Sequence, residues 1–333
     1  KNNLIVYRMN SENSEQKFVV IVCDSVLKVL GKKNLIVPLS RKYFNPYKFL
    51  VGNNGSVYLL GVKTDPEKRN RDADKNYYVV FGSSTGTYKW SEHEVKNSEH
   101  FMTDAGMVVD ELNHHLVISG FYSDKTGYSA AGVFYYYLSP ETLAPGEVHF
   151  SAFAPAFLYK FLGEQKENYN RELVNYSIDK IILRRDGGAV IIAEANYTSE
   201  YSYYDYYLRT FVSRRYYHHD NIIQLSVNMD GTVLWSNVIQ KEQTADDDDD
   251  TFISYTSAVS GGKIHCLYNR SLKRKTQVLI NATDALGNEK NSALLDEDQD
   301  ALIMPSASKQ VRADLLIVPA YKGRDLKLAG IIF

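Results

Sequence analysis

Two turns constrain this chain more than any other feature: Asp186-Gly187-Gly188 and Asp230-Gly231, each set between short apolar runs. Asp-Gly in that setting is a hairpin signal, because glycine supplies the positive φ that a tight turn between strands demands. Ile181-Ile182-Leu183 precedes the first turn and Ala189-Val190-Ile191-Ile192-Ala193 follows it. Ile222-Ile223-Gln224-Leu225-Ser226-Val227 and Val233-Leu234-Trp235 flank the second. Ile178 to Ile239 therefore reads as one antiparallel meander of short strands, with a tyrosine-rich extension in its middle hairpin.

The pattern recurs. Leu50-Val51 turns through Asn53-Asn54-Gly55 into Val57-Tyr58-Leu59-Leu60, and Met107-Val108-Val109 turns through Glu111-Leu112-Asn113 into Leu116-Val117-Ile118. Ser257-Ala258-Val259 passes through Gly261-Gly262 into Lys263-Ile264-His265-Cys266. Candidate turn glycines late in each copy are Gly31, Gly86, Gly146, Gly231 and Gly287, roughly 55 to 85 residues apart. Trp90 and Trp235 stand four residues after two of them and are expected at matching buried positions. A meander has two apolar faces and cannot bury both alone; several packed around an axis can, leaving only short edges. The spacing predicts an all-β chain, a β-propeller of roughly six four-stranded blades forming a single domain over 1–333, with a pair of sandwiches as the competing fold. The first copy opens on its second strand and the last stops after its third, so further strands are expected upstream of Lys1. One helix is expected near 153–163, where Phe153, Phe157 and Phe161 recur at helical spacing ahead of Gly163, inside an insertion spanning 151–176. Packing of that helix on its own sheets is expected over a docking role, since exposed Phe is costly.

Charge and motifs exclude more than they select. A formal net charge of −2 and a pI near 6.5 are wrong for a nucleic-acid binder, which needs concentrated positive charge. No stretch of eighteen apolar residues is present to span a bilayer as a helix. Cys23 and Cys266 each sit in an apolar run and read as buried strand thiols. There is no nucleophile elbow, zinc helix or phosphate-cradling loop, and no cofactor or metal is expected. His114-His115 and His218-His219 are read as loop pairs, since neighbours on a strand would face opposite ways. The acidic runs Asp246 to Asp250 and Asp296 to Asp300 read as solvated rim loops.

Tyrosine is the unusual count, 26 residues against 14 phenylalanines. The middle hairpin concentrates them: Tyr197, Tyr201, Tyr203, Tyr204, Tyr206, Tyr207, Tyr216 and Tyr217, with Arg209, Arg214 and Arg215 interspersed. Aromatic residues beside arginine are the composition of binding hot spots, and flat tyrosine faces also stack on sugars. One inner sheet face cannot bury so many, so part of the set is expected in the core and part on the surface. Tyr203, Tyr204, Tyr206 and Tyr207, around Asp205, are the ones a sheet needs least.

Phe18-Val19-Val20-Ile21-Val22-Cys23-Asp24, Gly55-Ser56-Val57-Tyr58-Leu59-Leu60-Gly61, Gly120-Phe121-Tyr122-Ser123-Asp124, Asp186 to Glu194 and Asp230 to Trp235 occur in an order that resembles an uncharacterised group of exported propeller-like proteins of Bacteroidota. That resemblance implies a periplasmic or outer-membrane-associated location and an export signal upstream, and no reaction. The function expected from it is a non-catalytic scaffold, an accessory subunit of an outer-membrane secretion assembly holding a protein partner of the envelope through the tyrosine hairpin. The alternative is a glycan-binding or glycan-processing propeller, with Asp186, Glu194 and Asp230 as carboxylates at its mouth; Asp186 and Asp230 also suit turns.

Overall fold

A computed structural model describes residues 3–9, 15–63, 77–83, 90–95, 100–125, 129–162, 172–246, 250–272, 276–295 and 301–333. The chain is all-β and propeller-like in its repeating unit, a succession of antiparallel meanders. The first sheet holds β1 (Asn3–Met9), β2 (Gln16–Cys23) and β3 (Val29–Val37). The second holds β4 (Phe44–Val51), β5 (Val57–Lys63), β6 (Tyr77–Ser83) and β7 (Ser91–Val95) in chain order. β8 (Phe101–Asp110), β9 (His115–Ser123), β11 (Gly132–Leu138) and β12 (His149–Ala152) make the third, while β10 (Ser129–Ala130) pairs with β13 (Leu173–Val174). The fourth runs β14 (Tyr176–Leu183), β15 (Ala189–Asp205), β16 (Thr210–Val227) and β17 (Val233–Ile239), with β18 (Thr244–Asp246) beside β16. β19 (Thr256–Ser260), β20 (Lys263–Asn269), β21 (Val278–Thr283) and β22 (Glu289–Leu295) form the fifth. In the sixth, β23 (Ala301–Ile303) and β24 (Lys309–Arg312) share one edge of β25 (Leu315–Lys322), and β26 (Asp325–Ile332) takes the other.

Two compact units divide the chain: Lys1–Val174 with Ile178–Ile191 and Ser226–Leu234, and Asn175–Ser177 with Ile192–Leu225 and Trp235–Phe333. In the first, Tyr58, Leu60, Tyr78 and Val80 of the second sheet pack against Met107, Leu116, Ile118 and Phe134 of the third. Phe18, Leu35, Phe44 and Phe81 fill the space between the first and second sheets. In the second unit Leu267, Val278, Ile303, Leu316 and Val318 join the fifth sheet to the sixth. Both cysteines are free and buried, as their apolar runs imply.

One turn is used again and again. At 24–28, 52–56, 184–188, 228–232 and 284–288 the first residue's N–H donates to the fifth residue's carbonyl, and the fourth residue's N–H donates back to the first carbonyl. The fourth residue must then adopt positive φ: Gly55 at 80°, Gly187 at 87°, Gly231 at 80° and Gly287 at 84°. A short polar side chain satisfies the remaining amides. Asp24 and Asp284 do so from the first position, Asn54, Asp186 and Asp230 from the third. Asp186 and Asp230 are thus turn residues, and their pKa values are lowered for the same reason, hydrogen bonds from Arg184 and Gly188 outweighing burial at Asp186, and from Thr232 at Asp230. Gly31 does not belong to the series: it lies within β3, and Gly146 lacks positive φ. Gly86 lies outside the described residues.

The expected helix is α1 (Pro155–Leu162), and it packs on its own unit. Phe153 and Phe157 are buried, and a chain of ring contacts runs from Phe121 through Phe153 and Phe157 to Phe161. Glu172, at the end of the insertion, accepts hydrogen bonds from Ser123 and Ser129 and from the Asp124 amide. The tryptophans occupy matching positions. Trp90 immediately precedes β7 and Trp235 is the third residue of β17, each at the fourth strand of its meander. Both are partly buried, and the indole N–H of each donates to a backbone carbonyl, that of Asn34 for Trp90 and of Ala285 for Trp235. Among the described residues no helix is long and apolar enough to cross a membrane.

Candidate functional site

β15 and β16 are the longest strands described, and only their sheet-proximal parts are buried. Ala189 to Ala195 and Ile222 to Val227 form the buried base, apolar apart from Glu194, Gln224 and Ser226. Beyond it the hairpin becomes an arm of polar and aromatic residues, mostly exposed, reaching a tip at Tyr206 to Arg209. Asp205 fixes the tip by accepting from the amides of Tyr207 and Leu208. Tyr206 and Tyr207 are 86% and 99% exposed, and Arg209, Arg214 and Arg215 are exposed as well.

Strand alternation sorts the arm into two faces. Tyr197, Ser199, Tyr201 and Tyr203 share one. On it Tyr197 lies parallel to His218 with centroids 4.4 Å apart, and Tyr201 and Tyr203 stack at 6.0 Å with planes 26° apart. Ser199 Oγ sits 2.8 Å from His218 Nε2 and ties strand to strand. The other face carries Ser202 against Ser213 at 2.6 Å, and Tyr204 edge-on to both Tyr206 and Phe211. Arg215 hydrogen-bonds Tyr217, which raises the guanidinium pKa. Nearer the sheet, Tyr216 and Tyr217 are half-buried and pair with β18. The eleven residues singled out from sequence thus all fall on the β15–β16 arm. Leu208 and Phe211 belong with them and were not among the residues named from sequence. His218 belongs with them too: read from sequence as part of a loop pair, it lies inside β16, facing Tyr197 while His219 turns to Glu194.

Under the arm lies a buried charged cluster. Glu194 Oε2 is 2.6 Å from His219 Nδ1 and 2.7 Å from Ser254 Oγ, and Oε1 lies 2.8 Å from Lys241 Nζ. Lys241 also donates to the His219 carbonyl and to Gln243 Oε1, while Gln243 accepts from Ser254 N and donates to the Asn269 carbonyl. Burial would push the Glu194 carboxyl up, but hydrogen bonds from His219, Lys241 and Ser254 with the Lys241 charge overcome it and hold the pKa below the ordinary value. Glu194, the one carboxylate of the three that is not a turn residue, is therefore committed to a charge-balanced support for the arm's base. Among the described residues no group of His, Cys, Asp and Glu is arranged to hold a metal ion. Most of both acidic runs lies outside the described residues.

No family model and no curated protein matches this sequence. Among solved structures, it is similar at 11% identity and a TM-score of 0.42 to a puromycin-hydrolysing peptidase of Mycobacterium tuberculosis, over 88% of this chain and 38% of that one, so it spans well under half the peptidase's length. It is similar at 11% identity and a TM-score of 0.40 to the polysaccharide lyase Uly1, over 95% of this chain and 69% of that one. The Dos1 propeller follows at 9% identity and 0.36, over 95% and 74%. Likenesses this distant leave the chemistry to be read from the chain's own residues, and none of them bears on the resemblance to exported Bacteroidota proteins.

Proposed function

We propose that this protein is a carbohydrate-binding module and that the β15–β16 arm is its binding surface. The observation that carries the reading is the row of stacked rings on one face of the arm, Tyr197 with His218 and then Tyr201 with Tyr203. The rings stand in two stacked pairs, one across the strands and one along β15, and Tyr197 and Tyr201 keep ring surface open to solvent beside the polar edge groups of Ser199 and the tyrosine hydroxyls. A sugar ring has the complementary form, one apolar face and a polar rim. Tyrosine is suited to the task because it loses little rotamer entropy on binding. Glu194, Lys241 and His219 serve this surface from beneath, fixing the two strands where the arm leaves the sheet.

A second reading has its own observation. The tip and opposite face, with Tyr204, Tyr206, Tyr207, Leu208 and Phe211, are more apolar than the ring row, and would suit a protein partner, including the envelope partner expected from sequence. A glycan array probed with the labelled chain and with Tyr201→Ser/Tyr203→Ser separates the two. The carbohydrate reading expects discrete hits that disappear in the double variant. An array blank for the native chain overturns it and leaves the tip as the binding surface.

A further inference from the structure

Of the five such turns among the described residues, only the one between β2 and β3 lacks glycine at its fourth position. Leu27 stands there, with φ at 66°. A side chain in the left-handed region is strained, because its Cβ crowds the following carbonyl oxygen. The other four turns show that this geometry takes glycine readily. The leucine does not recover the cost by packing, since its side chain lies in solvent, 67% exposed. Strain kept at a position whose side chain is mostly exposed among the described residues points to a task outside the fold.

The neighbours of Leu27 share its character. Val26 is 80% exposed, Val29 58% and Leu30 57%, so the turn and the start of β3 form one apolar finger. The finger is held in place and does not flop: Asp24 Oδ1 accepts from the amides of Val26 and Lys28, the Asp24 N–H donates to the Lys28 carbonyl, and Asn3 Nδ2 donates to the Asp24 carbonyl. Among the described residues the finger itself carries more positive than negative charge, two lysines against one aspartate. Lys28 and Lys32 are exposed at its sides, and Asp24, the acid of the turn, spends its carboxylate on the backbone amides. Lys33 is turned away to the Ser83 carbonyl.

An apolar tip with an ammonium collar matches one kind of surface, a hydrocarbon layer beneath anionic headgroups. We propose that the β2–β3 finger is a membrane-docking element that seats Val26 and Leu27 among acyl chains while Lys28 and Lys32 meet anionic lipid phosphates. This is a second surface, independent of what the tyrosine arm binds.

The test is co-sedimentation of the chain with phosphatidylcholine vesicles, with and without phosphatidylserine, alongside two variants. The native chain is expected to bind the phosphatidylserine vesicles, more weakly as salt is raised, and the neutral vesicles poorly. Leu27→Gly relieves the turn, so its melting temperature is expected to rise by about 1–2 °C. Its vesicle affinity is expected to fall about tenfold or more, the worth of one buried leucine side chain. Lys28→Glu/Lys32→Glu is expected to fold normally and lose the preference for phosphatidylserine. A native chain that ignores both vesicles, or a Leu27→Gly variant that binds as tightly as the native chain, overturns the proposal. Concentration-dependent self-association of the native chain that Leu27→Gly abolishes would assign the finger to a second copy of the protein and overturn it equally.

Discussion

Glu194 shows what a single residue contributes and how little of that can be read from its neighbours in sequence. Its partners His219, Lys241 and Ser254 lie on β16, after β17 and after the 3-10 turn at Asp250–Phe252, so nothing local announces them. From sequence it was one carboxylate among three; in the structure its lowered pKa links it to stability. A carboxyl whose folded pKa is depressed stabilises the fold fully above the ordinary glutamate value and loses that contribution as pH falls through the folded value. The native chain should therefore lose stability below about pH 4.5. Glu194→Gln leaves the Lys241 ammonium buried without its counter-charge, and a loss of about 3 kcal/mol at neutral pH is expected. Its midpoint in urea should depend less on pH, as pH falls below about 4.5, than that of the native chain. Equal pH slopes for the two proteins would remove Glu194 from the account.

The turns were the most legible elements, because their chemistry is local. Gly55, Gly187, Gly231 and Gly287 are where asparagine or aspartate with glycine, or glycine alone, marked reversals. The failure among them is equally local in origin: Gly31 resembles a turn glycine by composition but sits inside β3, whereas the Trp90 and Trp235 spacing did mark matching positions. Leu27 escaped notice because no residue type predicts a turn that takes positive φ without glycine or asparagine. Two glycines separate strain from space. A Cβ on Gly231 would stand 2.5 Å from the His149 Cβ, while one on Gly261 meets nothing within 4 Å, and both have positive φ. Gly261→Ala should cost about 1 kcal/mol, the conformational penalty alone. Gly231→Ala should cost about 2–3 kcal/mol, since His149 must also move. Chemical denaturation of the two variants reads the difference directly, and equal losses would mean that the β12–turn contact carries no weight.

For the whole molecule, period and turn chemistry were enough to foresee an all-β chain of successive meanders with one short helix near Phe153. Hydrophobic alternation also made the arm recognisable as a hairpin too rich in tyrosine to be core. What alternation alone did not give was the sorting of its rings, which depends on how far β15 and β16 run past the buried base. That sorting is the basis of the functional reading, and calorimetric titration with a glycan selected on the array tests it most directly. The native chain should bind saturably. Tyr201→Ser/Tyr203→Ser should melt at the native temperature and bind more than tenfold more weakly, a loss above about 1.4 kcal/mol. A double variant that folds and binds the same glycan with native affinity would contradict the central claim.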